Sequence, residues 1–177
     1  EQDRAQWNGA QIAEGIALLD AAMLRRAPGP YQLQAAIAAL HAQAPSVAET
    51  DWAQIALLYG ALARLAPSSV VEVNRAVAVG MADGPRTGLA ILAPILASGT
   101  LANYAPLHAA HAELLDRAGE VDAATTAWTR AIAATENTTL RDELRRRVAA
   151  RPSTGHAGDL TETNQTSELE GFEESST

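Results

Sequence analysis

Neither cysteine nor lysine occurs anywhere in the chain. Without thiols there is no disulfide framework, no cysteine-ligated metal and no thiol nucleophile. Aromatic residues make up only 4% of the sequence, β-branched runs are nearly missing, and both shortages favour helix over strand. No stretch approaches the ~20 continuous apolar residues that cross a bilayer, and no secretory leader is legible. A soluble, cytoplasmic protein without membrane contact is the expectation. The chain starts at Glu1 rather than Met, so it is expected to be a piece of something longer.

All 13 basic residues are arginine, set against 21 acidic ones for a net charge of −8 over 177 residues. Nucleic-acid binding needs a basic footprint to neutralise phosphates, and a chain of this balance lacks one. The charge is uneven: residues 151–177 carry six acidic groups (Asp159, Glu162, Glu168, Glu170, Glu173 and Glu174) against Arg151 alone. That segment, rich in Ser, Thr, Gly and Glu with few large apolar groups beyond Leu160, Leu169 and Phe172, reads as a disordered acidic tail. Residues 1–150 read as one domain, long enough to bury a core.

What remains is rich in alanine and leucine, and it is punctuated by proline and glycine into eight expected helices at about 8–26, 30–43, 51–66, 69–83, 85–97, 103–117, 121–134 and 138–150. In the first, Ile12, Ile16, Leu19 and Met23 recur at three- and four-residue spacing. Proline at 30 and 85 suits a first helical turn. Pro94 is expected to kink or shorten its helix. Ser69 with Glu72 reads as a capping box, and Asn103 and Asn137 read as N-caps. The last helix, with Arg141, Arg145, Arg146 and Arg147, is polar enough to close the end of a stack.

The turns repeat. Thr50, Gly84 and Gly119 each lead into an apolar helix, 34 and then 35 residues apart, and each follows another apolar helix. A helix pair at that period marks an all-α solenoid of tetratricopeptide (TPR) type. The run from Tyr31 to Ala38 aligns without gaps on the run from Val71 to Ala78, with a third copy beginning near Pro106. Tyr59 and Trp128 take the large aromatic slot of the second helix in a pair, and Ala124 and Ala131 take the small slots. The first helices of such pairs line a concave groove.

In that frame Asn74 and Arg75 point into the groove, flanked by Tyr31 and Gln34. A guanidinium fork there suits a carboxylate or peptide backbone; the competing reading pairs Arg75 with Glu72 or Glu113 inside the solenoid. His41 either caps carbonyls at the end of its helix or faces the groove. His108 and His111, at i and i+3, would need further ligands to hold a metal; the structural reading places one beside the groove and the other in a helix interface. Trp128 reads as core and Trp52 as packing. Ser68 and Ser69 have no base placed near them, and Gly84 and Gly119 are isolated turn glycines rather than a phosphate loop. No catalytic residue, cofactor or metal is expected.

The string Gly29-Pro30-Tyr31-Gln32-Leu33-Gln34-Ala35-Ala36-Ile37-Ala38-Ala39-Leu40-His41-Ala42 resembles the C-terminal TPR-like extension of a group of bacterial extracytoplasmic-function (ECF) sigma factors. Glu1-Gln2-Asp3-Arg4 with Trp7, Thr50-Asp51-Trp52 with Ile55 and Tyr59, and Val73-Asn74-Arg75-Ala76-Val77-Ala78 before Gly84-Pro85 extend the likeness. So do Tyr104, His108-Ala109 and the stretch from Leu114 to Gly119, so that it covers about residues 1–150. The resemblance implies a preceding pair of sigma modules that bind core RNA polymerase and read promoter elements. It implies a neighbouring DGPF-domain protein and an extension needed for sigma activity. Asp3, Arg4 and Trp7 would then dock this domain onto the preceding module. The acidic tail has no counterpart in that pattern. A stand-alone TPR adaptor, binding a peptide or small signal in its groove, is the other reading.

Overall fold

The computed structural model describes residues 9–23 and 29–150. They form eight helices and no strand: α1 (Gly9–Met23), α2 (Pro30–Gln43), α3 (Trp52–Leu65), α4 (Ser69–Ala82), α5 (Pro85–Ser98), α6 (Ala105–Ala118), α7 (Val121–Ala133) and α8 (Thr138–Ala149). The all-helical hairpin architecture expected from the periodicity is the one observed. Asp3, Arg4, Trp7 and the expected acidic tail lie outside the described residues.

Local chemistry explains most boundaries. Gln32 turns its side-chain carbonyl back to the Gly29 N–H (3.1 Å), closing the start of α2 beside Pro30. Asp51 Oδ1 accepts from the Gln54 N–H (2.9 Å) at the head of α3, and Asn137 Oδ1 accepts from Leu140 (3.1 Å) at the head of α8. Gly119 takes a left-handed conformation (φ 80°), which lets Glu120 donate to the Leu115 carbonyl (2.9 Å) and finish α6.

Three expectations are corrected. The cap of α4 is Ser68, which accepts from the Val70 N–H (3.2 Å), while Ser69 is already helical. Glu72 does not reach back to the helix start because it pairs with Arg75 instead. Asn103 caps nothing at α6: Tyr104 occupies the N-cap position without a side-chain bond. Pro94 does not shorten α5, which continues to Ser98. Pro94 is exposed and so is Ala90, whose carbonyl would otherwise take the missing hydrogen bond, so water can satisfy it.

The core is a series of overlapping clusters. Leu33 and Ile37 of α2 pack with Ile55 and Leu62 of α3 and Ala78 of α4. The other side of α4, through Val73 and Ala76, packs with Leu92, Leu107, Ala110 and Leu114 of α5 and α6. The far side of α6, through Ala112 and Leu115, packs with Ala124, Trp128, Ala131 and Leu144 of α7 and α8. Helices α4 and α6 therefore each serve two clusters, and the chain stacks by nearest and next-nearest neighbours as helical repeats do. The gapless frame sets Leu33 against Val73, and both are buried. Trp128 is 1% exposed, as its aromatic slot requires, and its indole N–H donates to Asp116 Oδ2 (2.7 Å).

The tightest crossing is between α4 and α5. A Cβ at Gly88 would lie 2.5 Å from the Ala76 carbonyl oxygen and 2.9 Å from Gly80 Cα, both backbone atoms. A Cβ at Gly80 would collide with Leu114, which is itself 0% exposed and has nowhere to move. Gly88→Ala is therefore expected to cost about 3 kcal/mol and to lower Tm by roughly 6–12 °C. Gly60, mid-way along α3, has only Arg64 Nη1 near its missing Cβ, at 3.9 Å. There the helix preference should dominate, so Gly60→Ala gains up to ~1 kcal/mol. Thermal unfolding of the two variants checks the opposite signs.

Candidate functional site

The expected binding residues do not gather in one place. Tyr31, in the first turn of α2, is 84% exposed, and Gln34 beyond it is exposed too. His41 sits edge-on to Trp52, with ring centroids 5.2 Å apart, and the Trp52 indole donates to the Val47 carbonyl (2.9 Å). That contact fastens the loop between α2 and α3. Arg75 donates through Nη2 and Nε to Glu72 Oε2 at 2.7 and 2.9 Å. Its fork meets a carboxylate one turn away, the pairing that the competing reading places there. Asn74 and His108 lie in two different hollows.

The first hollow is a furrow of about 310 Å³ that runs across α4, α6 and α8. Its floor includes Val73, Val77, Ala110 and Leu144, and Asn74 stands exposed at its edge. These are the first helices of successive pairs, where the repeat pattern places a groove. Its polar rim is Glu113 and Arg147, which pair across from α6 to α8. Glu113 also accepts from Arg117 Nε (3.0 Å), and the Arg147 guanidinium lies 5.1 Å from the centre of the Trp128 ring. The cation over the indole face and the carboxylate beside it hold the closing helix against the stack.

The second hollow, about 640 Å³, opens where α5 and α7 end and α6 begins. Ile95, Leu96 and Leu107 supply apolar wall, and Asn103, His108, His111 and Arg130 supply every side-chain polar group of the lining. His108 is 7% exposed, and its Nε2 lies 2.7 Å from the Ala102 carbonyl oxygen. A carbonyl only accepts, so Nε2 carries the proton and Nδ1 is left as a buried acceptor without a partner. His108 thus ties the loop between α5 and α6 to the helix behind it and does not project into the α4–α6–α8 furrow. Among the described residues no group of three or more His, Asp or Glu side chains is placed to hold a metal ion.

The sequence marks His111 only as a partner of His108, in a metal pair or a helix interface, and does not mark Arg130 at all. The signal available was the i, i+3 step from His108; nothing in the spacing links Arg130, in the next helix, to either histidine. Burial lowers the His111 pKa below its ordinary 6.5, electrostatic interaction with His108 and with Arg130 lowers it further, and Glu120 opposes them weakly.

No protein-family model matches the chain, and no solved structure matches it. The chain is 45% identical over 157 residues to an uncharacterized protein of Rhizobium meliloti (strain 1021). That alignment covers 87% of the chain and 37% of the other protein, so the chain spans little more than a third of the length of this relative.

The depressed His111 pKa gives a signed pH dependence. The unfolded chain binds this proton near 6.5, while the folded chain resists it until a lower pH. The unfolded state therefore holds more protons between the two values, and stability falls as pH drops through the window just below 6.5. In His111→Gln, the loss of Tm between about pH 7.5 and about pH 5.5 should be smaller than in the parent chain. Equal slopes in the two proteins would exclude this contribution.

Proposed function

We propose that this chain is a regulatory protein-interaction domain, the TPR-like extension of an ECF sigma factor, acting in the bacterial cytoplasm by contact and conformation rather than by bond chemistry. The observation that carries this reading is the furrow built jointly by α4, α6 and α8. Successive first helices present a continuous surface with an apolar floor and a charged rim, which is what helical-repeat proteins use to hold another polypeptide. The residues that resemble the sigma-factor extension sit on the elements that build this surface and the stack beside it: Val73 to Ala78 on α4, His108-Ala109 on α6, and Gly29 to Ala42 on α2 with its cap. Tyr31 and Leu57, 84% and 76% exposed, add large apolar groups that solvent alone does not favour. The relative's greater length fits a domain attached to others.

The partners are then the sigma modules, core RNA polymerase or a DGPF-domain protein, with no direct nucleic-acid contact from this acidic domain. The adaptor reading drew on Arg75 as an anion anchor, and the Glu72 pairing takes that support away.

The test is promoter-dependent transcription by the longer protein that carries this domain. Removing residues 1–150 of this numbering is expected to abolish transcripts while the remaining modules keep their circular dichroism. Asn74→Arg, which sets a bulky cation at the furrow edge, is expected to reduce transcription at least about tenfold without lowering Tm, on the scale of a lost interface hot spot. Full activity after the truncation refutes the reading. Full activity of Asn74→Arg alone moves the contact away from the furrow.

A further inference from the structure

The hollow between α5, α6 and α7 lies apart from the furrow, and its chemistry points to a different kind of ligand. Its lining contains no carboxylate. Among the described residues Arg130 makes no ion pair, as Arg64, Arg86 and Arg141 make none, and of these four it is the one that lines this hollow. Arg130 stands exposed at this hollow, so its guanidinium is open to a planar anion that meets its fork, the partner that holds it best. His111 shares this carboxylate-free lining, and its own protonation is opposed by burial, by His108 and by Arg130, with Glu120 acting in the other sense. Helices α5 and α7 end at this hollow, and Arg130 in the last turn of α7 complements the partial negative charge there. That charge amounts to roughly half a unit per helix end, and the start of α6 offsets part of it.

We propose that this pocket binds a small organic carboxylate, with the charge held by Arg130 and Asn103 and an apolar body seated on Ile95, Leu96 and Leu107. The volume is within the range of small-molecule sites. The wall favours a carboxylate on a hydrocarbon or aromatic body over inorganic phosphate, which would leave the apolar surface uncovered. His111 is the reporter of occupancy, since an anion beside it reverses the sign of its surroundings. This site stands independently of the docking role proposed for the furrow.

The experiment uses the whole chain with four probes: benzoate, its uncharged analogue benzamide, benzylamine and inorganic phosphate. Binding is followed by the His111 ring resonances and by calorimetry, with the His111 signal assigned by its loss in His111→Gln. Benzoate is expected to bind, to raise the His111 pKa, and to lose affinity at least about tenfold in Arg130→Gln, as removal of a charge-assisted contact requires. Benzamide, benzylamine and phosphate are each expected to bind at least about tenfold more weakly than benzoate. Arg130→Lys, which keeps the charge without the fork, should recover part of the affinity. The proposal is overturned if benzoate leaves His111 unmoved up to about 10 mM, a ceiling corresponding to negligible affinity. It is equally overturned if any of the other three probes matches benzoate, or if benzoate binds Arg130→Gln as well as the parent. Because the benzamide comparison uses the unaltered chain, the result stands even where an Arg130 variant folds poorly.

Discussion

The close crossing of α4 on α5 is the constraint on which the rest of the stack depends. Gly88 lets the α5 backbone lie against the Ala76 carbonyl and the Gly80 Cα of α4, at distances no side chain would permit. Leu114 then lies over the pair, meeting both glycines and filling the space their missing Cβ atoms leave. Through that single leucine the α4–α5 hairpin sets the position of α6. The arrangement costs helix propensity at two positions, about 1 kcal/mol each, and is offset by a fully buried Leu side chain, worth about 1.5–3 kcal/mol.

Helix α6 in turn decides where function can sit. Ala109, Ala110 and Glu113 face the furrow, while Leu107, His108 and His111 face the hollow on the other side. Glu113 lies three and four residues from Ala110 and Ala109, and His111 three and four from His108 and Leu107, so helical spacing divides one short segment between two surfaces. The same helix gives Ala112 and Leu115 to the cluster around Trp128. Few of its side chains are spared for solvent, and its charges (Glu113, Asp116 and Arg117) are all engaged in pairs or hydrogen bonds.

Much of this architecture was legible in the residues. Proline at 30 and 85, and glycine at 84 and 119, act through backbone dihedrals alone, so the turns they mark needed no tertiary information. Trp128 and the alanines at 124 and 131 were legible because a repeat imposes the same packing slot on each copy. The two misplaced caps share one physical cause: local hydrogen bonding offers near-equivalent choices. Ser68 and Ser69 can each cap a helix start, and the choice fell to Ser68 once Glu72 found Arg75. Asn103 lost its cap role to a backbone arrangement around Tyr104. Such alternatives differ by a few tenths of a kcal/mol to about 1 kcal/mol, and tertiary packing settles them.

The candidate sites were less legible, and arginine usage shows why. In a chain whose only strong cation is arginine, several guanidinium groups are absorbed within about a turn of where they stand: Arg75 by Glu72, Arg117 by Glu113, Arg145 by Asp142 and Arg146 by Glu143. Helical i, i+3 and i, i+4 spacing predicts each of these pairs, the Arg75–Glu72 pair among them. Of the arginines outside this rule, two end in opposite ways. Arg147 reaches a carboxylate thirty-four residues earlier and covers Trp128. Arg130 reaches none and borders a cavity instead. Both outcomes depend on how α6 is placed between its neighbours, which traces back to the space left at Gly80 and Gly88. Local spacing identifies the charges that neighbours already meet; the packing of three successive helices decides which of the others borders a cavity.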